Sequence, residues 1–199
     1  TRWLILNSPS NPSGAVYSRA EMRALTEVLL RHPRVWILSD EIYAPFCYGA
    51  EAHVSPVQVE PQLADRTLIV NGMSKSYAMT GWRVGYGAGP ADLIKAMSTV
   101  MSQSTSCPSA ISQAAAQAAL EGDQSSVTEM VAIFKARRDL IVRRLNAIPG
   151  ISCATPDGAF YVYANVGGLI GRKGPDGELK TDLDVSLIFL RQAGVAVID

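Results

Sequence analysis

The sequence predicts an α/β fold, and the alternation of strand-like runs with capped helices carries that expectation. Val35-Trp36-Ile37-Leu38 is a short continuous apolar run, the pattern of a strand buried on both faces of a parallel sheet. Thr67-Leu68-Ile69-Val70 is a second, β-branched run. Around them lie stretches of helical spacing opened by two capping boxes, Ser18-Arg19-Ala20-Glu21 and Ser126-Val127-Thr128-Glu129.

Taken in order, Thr1 to Asn7 reads as a strand already under way, with no initiator Met before it. Asn7-Ser8-Pro9-Ser10-Asn11-Pro12-Ser13-Gly14 is dense in turn formers and on composition fits an ordinary strand-to-helix loop. From Ser18 to Arg31, Met22, Leu25, Val28 and Leu29 recur at helical spacing. Ser39-Asp40-Glu41-Ile42-Tyr43 then follows the apolar strand at its C-terminal edge, where ligands bind in open α/β sheets. Residues 44–66, with Pro45, Gly49, Pro56 and Pro61, form a loop-rich excursion.

After Thr67–Val70 comes a polar turn with a single lysine, Lys75, and then a second strand-like run with Arg83 at its start. Helices are expected over Ala91–Gln103, through Leu120 up to Gly122, and from Ser126 to about Ala147, where Pro149-Gly150 ends the last of them. Ile151–Thr155 and Pro156–Tyr163 read as strands, and the stretch around Pro175-Asp176-Gly177 as a loop or hairpin tip. Asp182–Ala193 is an amphipathic helix stopped by Gly194, and Val195–Asp199 is strand-like. Both ends look cut.

Composition narrows the function. A chain of 199 residues with 48% hydrophobic content can bury a sizeable core. Eighteen basic against eighteen acidic residues leave nothing to draw nucleic acid or an anionic membrane, and Arg137, Arg138, Arg143 and Arg144 fit a solvated helix face. No apolar stretch approaches the roughly 20 residues of a membrane span. Cys47, Cys107 and Cys153 are odd in number and widely spaced, which argues against a disulfide framework or a metal site and for a reducing, cytoplasmic setting. His53 reads as a polar loop residue and Glu41 as structural or solvated. Gly85 and Gly87 start a dinucleotide-like pattern, but Pro90 stands in the third glycine's place.

The residues with chemistry to offer are few. Lys75, flanked by Ser74 and Ser76 and followed by Arg83, has the makings of a carbonyl-binding amine beside an anion site; a surface lysine in a turn also fits. Asp40 suits a helix cap as well as a ligand contact.

Their company decides between these readings. Ser74-Lys75-Ser76-Tyr77-Ala78-Met79-Thr80-Gly81-Trp82-Arg83-Val84-Gly85-Tyr86 resembles the lysine motif of class I/II aminotransferases, the aspartate aminotransferase-like, fold type I enzymes that use pyridoxal 5′-phosphate (PLP). Asn7 to Gly14 resembles the family's Asn-Pro-x-Asn-Pro-Thr/Ser-Gly signature with Ser8 in the place of the first Pro. Ser39 to Tyr43 is similar to its Asp-Glu-x-Tyr motif, and Pro156 to Tyr161 to the Pro-x-Gly-Ala-Phe-Tyr strand that borders the active site. The resemblance implies that Lys75 carries the cofactor and moves the substrate proton, that Asp40 pairs with the pyridine nitrogen, and that Tyr43 and Asn11 contact the phenolic oxygen. It gives Asn11 a further part in holding the substrate carboxylate and Arg83 the cofactor phosphate. Many members have Ser where Gly72 stands, so Ser74 is left as the side-chain phosphate contact.

The implied architecture is a three-layer, α/β large-domain portion over residues 1–123, a connecting helix over 124–148 and an α+β small-domain portion over 149–199, in a subunit about twice this long. The implied activity is transfer of an amino group from an amino acid, aspartate or aromatic in type, to a 2-oxo acid by a homodimer. A lyase on the same fold and a ligand-sensing PLP-binding regulatory domain are the alternatives.

Overall fold

A computed structural model describes residues 1–175 and 177–198. Four strands, β1 (Trp3–Asn7), β2 (Trp36–Asp40), β3 (Thr67–Gly72) and β4 (Gly85–Ala88), make one mixed sheet in that spatial order. The first three are parallel and β4 is antiparallel to β3. This is an α/β fold, as the apolar runs predict. Asn7 lies opposite Asp40, and Asp40 opposite Val70, so β1 and β2 end level with one another and β3 runs two residues further, to Gly72.

Side chains alternate across a strand, which puts Leu4, Leu6, Ile37 and Ser39 on one face of the sheet and Asn7, Leu38 and Asp40 on the other. Helix α1 (Arg19–Leu30) covers the first face. Its Ser18–Glu21 capping box forms as expected, and Met22 and Leu29 join Leu6, Ile37 and Leu63 in one buried cluster. The last turn of α1 has carbonyls without helical partners. Arg66, arriving from the segment before β3, satisfies Leu29 O at 2.7 Å and also takes His32 O at 2.9 Å and Val35 O at 2.6 Å.

Contacts divide the described chain into two compact units. The first holds Thr1–Lys135 together with Pro156–Tyr161; the second holds Ala136–Thr155 and the chain from Val162 on. In the first, Met130, Val131 and Phe134 of the helix Ser125–Asn146 pack with Tyr43, Phe46, Tyr48, Ala159 and Phe160. In the second, Ser152–Cys153 pairs antiparallel with Ala164–Asn165, and the Asn146 amide extends the pairing by exchanging two 2.9 Å hydrogen bonds with the Cys153 backbone. Lys173–Gly174 pairs with Gly177–Glu178. Helix Asp182–Ala193 starts on a Thr181–Asp184 capping box and ends at Gly194, whose φ of 65° is the left-handed value that favours glycine.

Several expectations give way. The long helix starts at Ser125, where the Asp123 carboxylate accepts from the Ser125 N–H at 3.1 Å, so Ser126 lies inside it and caps nothing. Pro156–Tyr163 is not a strand: Ala159 has φ of 54°, and only Gly158 makes an isolated bridge, to Cys47. β4 begins at Gly85, because Arg83, expected at its start, adopts φ of 53° and breaks the extended run. Val195–Ile198 joins no sheet. Asp176 and Asp199 lie outside the described residues.

Candidate functional site

Three segments leave the C-terminal ends of β1, β2 and β3 on the same edge of the sheet, and each delivers a residue singled out from the sequence. Asn7, the last residue of β1, holds two of these loops together. Its amide oxygen accepts from the Asn11 N–H at 2.7 Å and its nitrogen reaches Asp40 O at 3.4 Å. Asn11 is thereby turned back over the end of β2 from an otherwise exposed loop. Asp40 is half-buried, and its carboxylate accepts from the Ile42 N–H at 3.3 Å, which sets the turn that carries Tyr43 inward.

Tyr43 is 4% exposed. Its ring meets Phe160 edge-on with centroids 5.3 Å apart and Tyr161 with centroids 5.5 Å apart. The Tyr43 and Tyr161 hydroxyl oxygens are 2.5 Å apart and share a hydrogen bond. Burial raises the Tyr43 phenol far above its ordinary range, and the Tyr161 hydroxyl and the Asp40 charge raise it further; a hydrogen bond from the Asn11 side chain pulls the other way. Tyr43 is therefore a neutral phenol at any working pH.

Lys75 sits in a one-turn helix, Met73–Ser76, directly after β3. It is half-buried, and its Nζ stands 6.0 Å from the ring centroids of both Tyr43 and Phe160, a distance at which an aromatic face still attracts a cation. Lys75, Tyr43, Asp40 and Asn11 thus meet in one place. Ser74 and Arg83 stand apart, joined through Thr80: its hydroxyl donates to Ser74 O at 3.1 Å and its carbonyl accepts from Arg83 Nη1 at 3.1 Å. Arg83 is exposed.

Glycine at position 72 has a local cause. A Cβ there would lie 3.0 Å from Gly85 Cα and 3.2 Å from Val84 O, so the close pairing of β3 with β4 favours the residue without one.

Some participants carried no usable sequence signal. Tyr161 reaches Tyr43 across 118 residues of chain, and only the resemblance of its segment hinted at proximity. Glu41 is buried and His53 half-buried, and the two face each other at 3.2 Å, so of the two readings of Glu41 the structural one holds and His53 is a loop residue with a partner that the sequence did not indicate.

An amine, an acid, a phenol and an amide brought to the C-terminal edge of a parallel sheet match a family as well as a chemistry. The family described as aminotransferase class I and II matches residues 1–199. The chain belongs to that family. It is 55% identical over 199 residues to an aspartate aminotransferase of Rhizobium meliloti (strain 1021), covering all of this chain and 48% of the relative. It is 50% identical, again over its full length and half of the relative's, to an aspartate/prephenate aminotransferase of Cereibacter sphaeroides. The crystal structure of the aspartate aminotransferase from Rhizobium meliloti superposes with a TM-score of 0.94, covering this whole chain and 50% of that one. A Thermus thermophilus aspartate aminotransferase double mutant follows at 0.86 and 38% identity, with 48% of its chain covered. The chain thus spans about half the length of the family members it matches. No helix among the described residues is long and apolar enough to cross a membrane.

Proposed function

We propose that the complete protein is a PLP-dependent aminotransferase that moves an amino group from an amino acid, aspartate or aromatic in type, to a 2-oxo acid. The observation that supports this best is the meeting of Lys75 Nζ with the Tyr43 ring, beside Asp40 and Asn11. That donor set fits the cofactor: an amine for its aldehyde, a carboxylate for its ring nitrogen, a phenol and an amide for its phenolic oxygen, and an aromatic wall beside its ring.

When bound, PLP supplies an electron sink for the charge left when a substrate Cα–H bond breaks. The residues of this chain do the rest. Lys75, free as an amine during turnover, takes the Cα proton and returns it elsewhere as a general acid. Asp40, held by the Ile42 N–H, keeps a proton on the ring nitrogen by charge. Tyr43 and Asn11 fix the phenolic oxygen, and Asn11 also meets the substrate carboxylate. Ser74 and Arg83 hold the phosphate; Arg83 is a suitable fork for such an anion.

The division into residues 1–123, 124–148 and 149–199, the homodimer and the cytoplasmic setting belong to the same proposal. The names of its relatives support aspartate as donor, and the aspartate/prephenate relative extends the acceptors to a 2-oxo acid bearing a large ring.

The test is reconstitution of the complete subunit with PLP and aspartate. Lys75→Ala is expected to abolish the visible absorption of the bound cofactor and transamination together. Undiminished transamination by Lys75→Ala would overturn the assignment.

A further inference from the structure

The phenol Tyr43 has one proton and two acceptor sites on its oxygen, and three groups compete for them. Tyr161 Oη is 2.5 Å away, the Asn11 side chain hydrogen-bonds the same oxygen, and the Asp40 carboxylate is near enough for its charge to be felt. The ring itself cannot swing aside. It is buried, flanked edge-on by Phe160 and Tyr161, and backed by Phe46 and the helix residues Met130, Val131 and Phe134. What remains to be set is rotation about the C–O bond, which decides where the proton points.

We propose that Tyr161 is a positioning residue for Tyr43: its hydroxyl donates to the Tyr43 oxygen, so that the Tyr43 proton is directed into the space in front of Lys75. This rests on the reading of that space as the cofactor site. Proton counting favours this direction over its reverse. If Tyr43 gave its proton to Tyr161, its oxygen would turn only lone pairs toward a phenolic oxygen that is itself an acceptor, beside a carboxylate that is another. With Tyr161 and Asn11 both donating, the two acceptor sites of Tyr43 are filled and its O–H is free to donate outward. Tyr161 is only half-buried. Its own oxygen therefore keeps access to water and is not left short of a donor.

The placement of Tyr161 is built, not incidental. Its segment is tied to the loops of the site by four hydrogen bonds: Gly158 N–H to Gly14 O at 2.8 Å, Ala159 N–H to Phe46 O at 2.8 Å, Tyr48 N–H to Asp157 O at 2.8 Å, and the Tyr48 hydroxyl to Ala159 O. These bonds bring the Tyr161 ring to Tyr43 whatever the hydroxyl does. Removing the hydroxyl alone is therefore a clean operation, and Tyr161→Phe keeps the ring contacts.

The readout is the pH midpoint at which the visible band of PLP bound to the complete subunit changes. A donor on the phenolic oxygen favours its ionised form and holds that midpoint down, so Tyr43→Phe raises it. Tyr161→Phe is expected to raise it too, by about 0.4–1 pH unit, the equivalent of one ordinary hydrogen bond. The double variant is expected to sit where Tyr43→Phe sits, since Tyr161 acts only through Tyr43. An unmoved midpoint in Tyr161→Phe, or shifts that add in the double variant, overturns the inference while leaving the aminotransferase reading intact. A parent protein that takes up no PLP at Lys75 overturns both.

Discussion

Glu41 Oε2 lies 3.2 Å from His53 Nε2 in a buried pocket beneath the end of β2, with Ser39 Oγ donating to the other carboxylate oxygen at 2.9 Å. Asp40 and Glu41 are chain neighbours, yet alternation sends Glu41 to the side of Ser39 and Asp40 to the side of Asn7. One acid faces the candidate site and the other anchors the strand end and the 44–55 excursion. The approach of His53 is close but off the N–H axis, and Ser55 Oγ has no aligned partner, so the attraction is chiefly electrostatic.

That geometry sets an acid limit on stability. Burial pushes the Glu41 carboxyl up, but His53, Ser55 and Ser39 outweigh it and hold the group below its ordinary value of 4.5. A carboxyl depressed on folding adds stability that is fully present above the unfolded value and is lost as pH falls through the folded one. Urea melts from about pH 3 to 7 are expected to show that loss below about 4.5, and Glu41→Gln to flatten it. At neutral pH the same variant is expected to cost about 1–2 kcal/mol, because Ser39 Oγ and His53 Nε2 lose the carboxylate they face.

Arg66 supports a second prediction. Its guanidinium donates to three carbonyls around the end of α1, a span that the single ammonium of lysine cannot cover. Arg66→Lys is expected to cost about 1–2 kcal/mol and Arg66→Ala about 2–3 kcal/mol. Both should lower the urea midpoint without changing the slope, since the surface exposed on unfolding stays the same.

Much of this was legible in the sequence because it is local. Ser18–Glu21, the strand of β2 and the break at Gly194 are each written within a few residues, and each forms. The placing of Asp40 at a strand end follows from an apolar run and what comes after it. The misses are non-local or turn on one backbone angle. Arg83 and Ala159 take positive φ without being glycine, which no propensity rule anticipates, and they shorten β4 and replace a strand with a bend. Glu41 with His53, and Tyr43 with Tyr161, pair across chain separations that leave no periodic trace.

Gly158 shows the same point energetically and gives a third prediction. A Cβ there would stand 2.6 Å from Phe46 O, 2.7 Å from Val16 Cγ2 and 2.8 Å from Pro9 Cβ, so the backbone of the 156–161 segment approaches the loops after β1 and β2 at a distance only glycine permits. Gly158→Ala is expected to cost about 1–3 kcal/mol through overpacking. It is also expected to weaken cofactor binding, because Phe160 and Tyr161 ride on the same segment. Thermal melts and a PLP titration of the complete subunit check the two effects separately.

The last prediction concerns Asp40, where charge and shape can be parted. Asn has nearly the same size, and its amide oxygen can still accept the 3.3 Å bond from the Ile42 N–H, so Asp40→Asn is expected to leave the turn into Tyr43 and the melting temperature close to the parent. What it removes is the negative charge proposed to keep a proton on the cofactor ring nitrogen. Without it the ring accepts less charge as the substrate Cα–H bond breaks, and proton removal by Lys75 slows. The expected loss in kcat is about 10²–10³-fold, typical of deleting one group that stabilises developing charge. Substituting deuterium at Cα tells slow proton removal from weak binding: the isotope effect on kcat should grow in Asp40→Asn, while covalent uptake of PLP at Lys75 persists. A variant with normal kcat and an unchanged isotope effect would show that Asp40 does not act through the ring nitrogen.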